Sequence, residues 1–287
     1  MHTATGLEVI PSEAPLGAEI VGVDLRQELD EHTFRAIDAA YNAHTVIVLR
    51  NQQLTPGHLP RFASRFGTLE VSPRTQFALP GYPEILVLSN ILDAHGKPIG
   101  NADAGQTWHT DMSYTEMPPR GSLLYAVEIP LDAQGKALGD TLFVSTDAAY
   151  DALSVEMKTR LHGLQAIHRA GAKQYAPRSQ LAEAIKHLPD VIHPVIRTHP
   201  VTGRKAIYVR EGECVGIVGM PDVEALPLIK TLSDFVTQPE FMYRHKWRGG
   251  DVLMWDNCCA QHLAIKDYEL PQRRLMYRVT VNGSVPV

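Results

Sequence analysis

From about residue 84 to residue 281 the chain is a succession of short apolar stretches, each cut off by glycine, proline or aspartate. Residues 85–88, 122–127, 206–209, 252–255 and 275–281 are too short for ordinary helices and rich in Val, Ile, Leu and Tyr, the pattern of strands. Thr202-Gly203, lying between Val195-Ile196-Arg197 and Lys205-Ala206-Ile207, predicts a hairpin turn. Two helical segments intervene, at about 147–164 and 221–236. The second opens on Pro221 and carries Leu228, Leu232 and Phe235 on one stripe. Many short strands with few β–α–β alternations imply a closed or sandwiched antiparallel core with helices packed outside.

The first seventy residues differ. Residues 18–25 read as a strand, and Asp30 caps a helix carrying Phe34, Ile37 and Tyr41 at spacings of three and four. The β-branched run 45–49 reads as a buried strand, and Thr55-Pro56 starts a helix that Gly67 ends. Here helices cover a sheet. No linker, composition shift or repeat divides the chain, so a single domain over 1–287 is expected. The weakly periodic stretch 165–192 is expected to be a long loop or lid.

Charge and composition exclude several functions. Lys+Arg at 27 against Asp+Glu at 32 gives a net charge of −5, without the basic stripe of a nucleic-acid binder. No apolar run reaches the roughly 18 residues a bilayer span needs, so no membrane partner is expected. The first residues lack the basic start and apolar stretch of a signal peptide. Cys214, Cys258 and Cys259 are odd in number and form no C-x-x-C pair, which favours reduced, partly buried thiols and a cytoplasmic location.

Chemistry starts at Trp108-His109-Thr110-Asp111. On an extended segment residues two apart point the same way, so His109 and Asp111 can converge on one ion. The pair is weak evidence alone, because 13 histidines and 32 acids in 287 residues supply about 1.4 such pairs by chance. Its bland reading is a solvated loop. His262, just past the buried stretch 252–255 and among small residues, can face inward; a lone histidine there is more often a core residue bonded to a carbonyl. In 275–281, Leu275, Tyr277, Val279 and Val281 share one face, while Arg274, Met276, Arg278 and Thr280 share the other. On a solvent face two arginines are ordinary. Lining a barrel they require anions, because an unpaired buried charge costs several kcal/mol.

Taken in order, His109, Asp111, His262, Arg274 and Arg278 resemble the taurine dioxygenase / 2,4-dichlorophenoxyacetate dioxygenase family of Fe(II)- and 2-oxoglutarate-dependent oxygenases. The resemblance covers nearly the whole chain and includes Gly17-Ala18-Glu19-Ile20, Val23-Asp24-Leu25, Phe62-Ala63-Ser64-Arg65-Phe66-Gly67, Gly139-Asp140-Thr141 and Trp255-Asp256-Asn257. It implies a mainly β fold with flanking helices, a double-stranded β-helix (jelly-roll) core. It also implies a dioxygenase that couples hydroxylation of a small anionic substrate to conversion of 2-oxoglutarate and O2 into succinate and CO2. His109, Asp111 and His262 would be the Fe(II) ligands, and Arg274 and Thr141 would bind 2-oxoglutarate. Arg278 would face the substrate anion, with Ser72, Tyr114 and Met112 around it. Family analogy adds a homo-oligomer, dimer or tetramer.

Taurine-specific members carry a histidine where Ser72 stands, which points toward other sulfonates or carboxylates. Arg274 follows His262 by 12 residues, one more than in the best-known members, and the extra residue falls in the 266–270 loop. Asp256 is read as structural. His193, His199 and His245 have no partner at ligand spacing and are expected in loops or at the surface. Two competing readings stand beside the oxygenase: a metal-dependent hydrolase, and a non-catalytic β-barrel that binds a small anion through its arginines.

Overall fold

The computed structural model describes residues 6–71, 75–172 and 187–287. Its strands are β1 (Glu8–Pro11), β2 (Ala18–Val21), β3 (Val46–Leu49), β4 (Ala78–Leu79), β5 (Tyr82–Ser89), β6 (Gly121–Glu128), β7 (Thr141–Ser145) and β8 (Gln165–His168). They continue as β9 (Val191–Pro194), β10 (Ile196–Thr198), β11 (Lys205–Ile207), β12 (Cys214–Ile217), β13 (Met242–His245), β14 (Val252–Asp256), β15 (Ala260–Ala264) and β16 (Leu275–Val281). The helices are α1 (Glu31–His44), α2 (His58–Ala63), α3 (Thr146–Ala152), α4 (Val155–Leu161) and α5 (Asp222–Val236).

One sheet of eight strands, ordered β1-β2-β3-β14-β6-β16-β5-β4, is antiparallel except for the β2–β3 pair. A second sheet, β13-β7-β15, lies against it. Strand parity explains the layering. Ile47, Leu49, Leu123, Tyr125, Val252, Met254, Val279 and Val281 point outward and pack against Ile37 and Tyr41 of α1 and Leu59 and Phe62 of α2. The alternate residues Val46, Val48, Leu124, Leu253, Trp255 and Met276 point inward and meet Phe143 of the smaller sheet and Trp247. With both faces covered, these strands read as continuous apolar runs rather than alternating ones. This is the double-stranded β-helix, with helices outside it. A third cluster joins Ala149 of α3, Leu161 of α4, and Leu228 and Leu232 of α5 to β8 and β12.

Local chemistry sets the boundaries. Asp30 caps α1 by accepting from the Thr33 amide at 2.7 Å, and the helix stops where Thr45 turns to φ 64°. The helix expected between Thr55 and Gly67 is confined to α2, with turns on either side. The segment 147–164 is two helices, not one. Ser145 caps α3 and Ser154 restarts the chain as α4, each hydroxyl accepting at 3.1 Å from an amide three residues on. The 202–203 turn joins β10 to β11 as expected, with Ile196 opposite Ile207.

Two expectations need correction. The stretch 165–192 is bounded by strands, β8 and β9, which pair antiparallel with Gln165 opposite Pro194; residues 173–186 lie outside the described residues. His168, a buried member of β8, hid the alternation because an imidazole scores as polar. His193, His199 and His245 are not surface residues: they are 2%, 1% and 0% exposed. Each is buried with a partner: Thr115 O at 2.9 Å, Asp256 Oδ2 at 2.9 Å and Asp251 Oδ2 at 3.2 Å respectively. Among the described residues no helix is long and apolar enough to cross a membrane.

Candidate active site

His109 and His262, far apart in sequence, are tied by a β-bridge in which each amide donates to the other's carbonyl, at 3.1 and 2.9 Å. The bridge sets their imidazoles side by side with ring centres 4.1 Å apart. Asp111 completes the group: its Oδ1 lies 3.6 Å from His109 Nε2 and 3.8 Å from His262 Nε2. One donor atom from each residue lies within 4.8 Å of the others, a group able to hold a metal ion. His109 Nδ1 lies 2.7 Å from the Thr107 carbonyl. A carbonyl only accepts, so Nδ1 carries a proton and Nε2 is the ring atom left to face Asp111. Packing holds His262, with Trp255 4.7 Å and Phe143 5.7 Å away between ring centres.

Burial by itself would raise the Asp111 carboxyl. The positive field of Arg278, then His262 and His109, and the Ser122 hydrogen bond outweigh it and hold Asp111 well below the ordinary carboxylate range. Asp111 is therefore an anion, as a metal ligand must be. Two imidazoles and one carboxylate on one side of an ion form the donor set that suits ferrous iron with positions left open.

Arg274 and Arg278, on the inner face of the β16 strand line, both line the adjoining cavity with His109, His262, Thr141 and Tyr268. Their partners differ. Arg278 Nη2 reaches Asp111 Oδ2 at 2.8 Å and Ser122 Oγ at 3.1 Å, while its buried Nε has no partner among the described residues. Arg274, 7% exposed, has no carboxylate within ion-pair distance among the described residues. It donates to the Gly139 carbonyl at 3.0 Å, the Tyr268 hydroxyl at 3.3 Å and the weakly accepting Met276 sulfur at 3.1–3.2 Å. Such a charge fits an anionic guest. Gly139, at φ 75°, is required for this approach, since a Cβ there would meet Arg274 Nη1 at 2.6 Å. Thr141 accepts from Trp247 Nε1 at 3.0 Å, which leaves its own proton to donate elsewhere. Arg274 and Thr141 together fit one end of a dicarboxylate such as 2-oxoglutarate.

Met112 and Tyr114 do not line this cavity; Met112 turns to φ 48° directly after Asp111. Ser72 lies outside the described residues. Ser122 and Tyr268 escaped the sequence reading. A serine amid the apolar run of β6 was the signal for the first, and nothing local marked the second. A second group, His199, Asp256 and Cys258, also clusters within 4.8 Å. There His199 Nδ1 accepts from two amides, so its proton lies on Nε2 and goes to Asp256. Burial, then Asp256, pushes the Cys258 thiol up, so that it stays protonated. Those groups brace the β14–β15 turn, consistent with a structural Asp256.

The sequence profile of the taurine catabolism dioxygenase TauD, TfdA family matches residues 8–280. The alpha-ketoglutarate-dependent 2,4-dichlorophenoxyacetate dioxygenase of Cupriavidus pinatubonensis is 33% identical over 282 residues, covering 94% of this chain and 96% of that protein. The alpha-ketoglutarate-dependent sulfate ester dioxygenase of Pseudomonas putida is 33% identical over 296 residues, covering 99% and 92%. Among solved structures, a taurine dioxygenase from Burkholderia xenovorans superposes with TM-score 0.82 at 32% identity, covering 98% of this chain and 91% of that one. AAD-2 in complex with Mn(II) and N-oxalylglycine gives 0.79 at 28% identity, with 98% of both chains covered.

Proposed function

Because this chain belongs to the taurine catabolism dioxygenase TauD, TfdA family, we propose that it hydroxylates a small organic anion: a sulfonate, an aryloxyalkanoate or a related carboxylate. It is an Fe(II)- and 2-oxoglutarate-dependent dioxygenase. The observation that carries the reading of the site is the juxtaposition of a His-Asp-His donor group with a buried arginine that has no counter-ion among the described residues.

In this reading His109, Asp111 and His262 hold Fe(II). The ion, when bound, supplies the O2 chemistry that couples decarboxylation of 2-oxoglutarate to insertion of oxygen into a substrate C–H bond. The protein's own groups bind and orient. Arg274 grips the distal carboxylate of 2-oxoglutarate, a charge-assisted contact worth about 1.5–3 kcal/mol. Thr141, held by Trp247, donates its proton to the same carboxylate. Arg278 offers to the substrate anion its Nε, which has no partner among the described residues. Leu88, Leu124, Trp255 and Met276 form an apolar wall that keeps water from the reacting carbon. Where that carbon also bears oxygen or sulfur, the hydroxylated product collapses with cleavage of the C–O or C–S bond.

We read residues 1–287 as one catalytic domain that assembles as a dimer or tetramer without a nucleic-acid partner. Its three free, buried cysteines suit the reducing cytoplasm. The test is direct. Fe(II) and 2-oxoglutarate added without oxygen should give the visible charge-transfer band of the chelate. Admitting O2 with a panel of sulfonates, phenoxy acids and alkyl sulfates should release succinate in a substrate-dependent way. Absence of both signals would overturn the reading.

A further inference from the structure

The two oxygens of Asp111 have different surroundings. Oδ1 faces the imidazoles of His109 and His262 at 3.6 and 3.8 Å. Oδ2 accepts from the Ser122 hydroxyl at 2.8 Å and from Arg278 Nη2, also at 2.8 Å. Because an ionised carboxylate only accepts, the Ser122 proton must point at Oδ2. The Ser122 oxygen in turn accepts from Arg278 at 3.1 Å, closing a three-membered ring of contacts behind the carboxylate.

Ser122 has a backbone that cannot drift. It lies in β6 between two hydrogen-bonded neighbours, opposite Trp255 of β14 on one side and Thr280 of β16 on the other. It is 0% exposed. Arg278 reaches the same oxygen from the end of a long side chain that also borders the cavity. Of the two donors, the serine is therefore anchored and the arginine can be drawn away by an anion.

We propose that Ser122 is a positioning residue for the metal centre: it ties down Asp111 Oδ2, so that Oδ1 alone is presented to the ion. Asp111 is thereby fixed as a monodentate ligand, and it stays so while Arg278 engages a substrate. The inference rests on the reading of His109, Asp111 and His262 as metal ligands.

The experiment measures Mn(II) binding to the metal-free full chain by loss of the free-ion EPR signal. Wild type, Ser122→Ala and Ser122→Thr are compared, with thermal unfolding of each metal-free protein. Ser122→Ala is expected to weaken Mn(II) about 10-fold or more, the usual size of an outer-shell effect. Ser122→Thr keeps the hydroxyl and is expected to recover most of that loss. The Co(II) visible spectrum of Ser122→Ala should also differ from wild type, because the freed Oδ2 can join the coordination sphere. Unchanged Mn(II) affinity in Ser122→Ala overturns the proposal. So does an equal loss in the alanine and threonine variants, which would mark a packing effect. Failure of the wild type to bind Mn(II) overturns the metal reading itself, and it shows before any variant is compared.

Discussion

Arg274 and Arg278 share one face of one strand line, yet removing their charges should move stability in opposite directions. Arg274→Met takes away a buried guanidinium without a counter-ion among the described residues, whose burial costs several kcal/mol. Against this stand the lost bonds to the Gly139 carbonyl and, at longer range, the Tyr268 hydroxyl, together about 3 kcal/mol for a charged donor, and two weak contacts to sulfur. The balance favours the variant by on the order of 1–2 kcal/mol, or a Tm rise of a few degrees for a chain of this size. Binding should move the other way. Loss of a charge-assisted contact of about 1.5–3 kcal/mol weakens 2-oxoglutarate roughly 10- to 150-fold. Calorimetric titration of 2-oxoglutarate into anaerobic Mn(II)-loaded protein reads the second effect, and thermal unfolding of the metal-free protein reads the first. In wild type, 2-oxoglutarate at a hundred times its Kd should add about 2.7 kcal/mol of stability, and the variant should gain about 0.3–1.4 kcal/mol at that concentration. A metal-free variant that melts well below wild type, with undiminished 2-oxoglutarate affinity, would refute the assignment of Arg274 as an unpaired anion receptor.

Arg278→Met should instead lower the stability of the metal-free protein by about 3–5 kcal/mol, because it strands the buried Asp111 carboxylate; chemical unfolding checks this. Thr141→Val, nearly isosteric, orphans the Trp247 indole and should lower both stability and 2-oxoglutarate affinity by about 1 kcal/mol, read by the same two assays. His168 is pushed down to about 3 from an ordinary 6.5 by burial and then by His193. Between these values the unfolded chain binds a proton that the folded chain does not, so stability falls as pH falls. The slope from this group approaches about 1.4 kcal/mol per pH unit, and His168→Phe should flatten that part of an unfolding-against-pH curve.

Parity made much of the site legible. The alternation in β16 separates Arg274 and Arg278 from Leu275, Tyr277 and Val279 without knowledge of the fold, because side-chain period two is a property of the strand itself. The His-x-Asp spacing was likewise visible, but its meaning depended on His262, which only the β-bridge to His109 brings alongside. Pairing was not legible. Composition presents His199 and His245 as polar and therefore external, whereas Asp256 and Asp251 satisfy them inside. The break between α3 and α4 turns on one serine hydroxyl, a local signal overlooked in favour of the longer apolar pattern. Ser122 and Tyr268 act through contacts with Asp111 and Arg274 that no local pattern encodes.

The charge balance of the cavity bears on the substrate. Arg274 and Arg278 line it and Asp111 adjoins it, leaving one positive charge in excess among these groups. Glu70 is half-buried outside the lining, and burial, opposed by Arg278 and aided by Asp111, pushes its carboxyl up. Ferrous iron and doubly charged 2-oxoglutarate cancel each other, so the excess survives loading of both. A monoanionic substrate neutralises it. A neutral ester or amide of the same compound leaves it standing, and forfeits a charged hydrogen bond to Arg278 of about 1.5–3 kcal/mol, or roughly 10- to 150-fold in affinity. Succinate release with an accepted acid and with its methyl ester, at matched concentrations, measures the difference. Equal turnover of acid and ester would mean that Arg278 spends its charge on Asp111 alone, and that the anion preference of this site has another source.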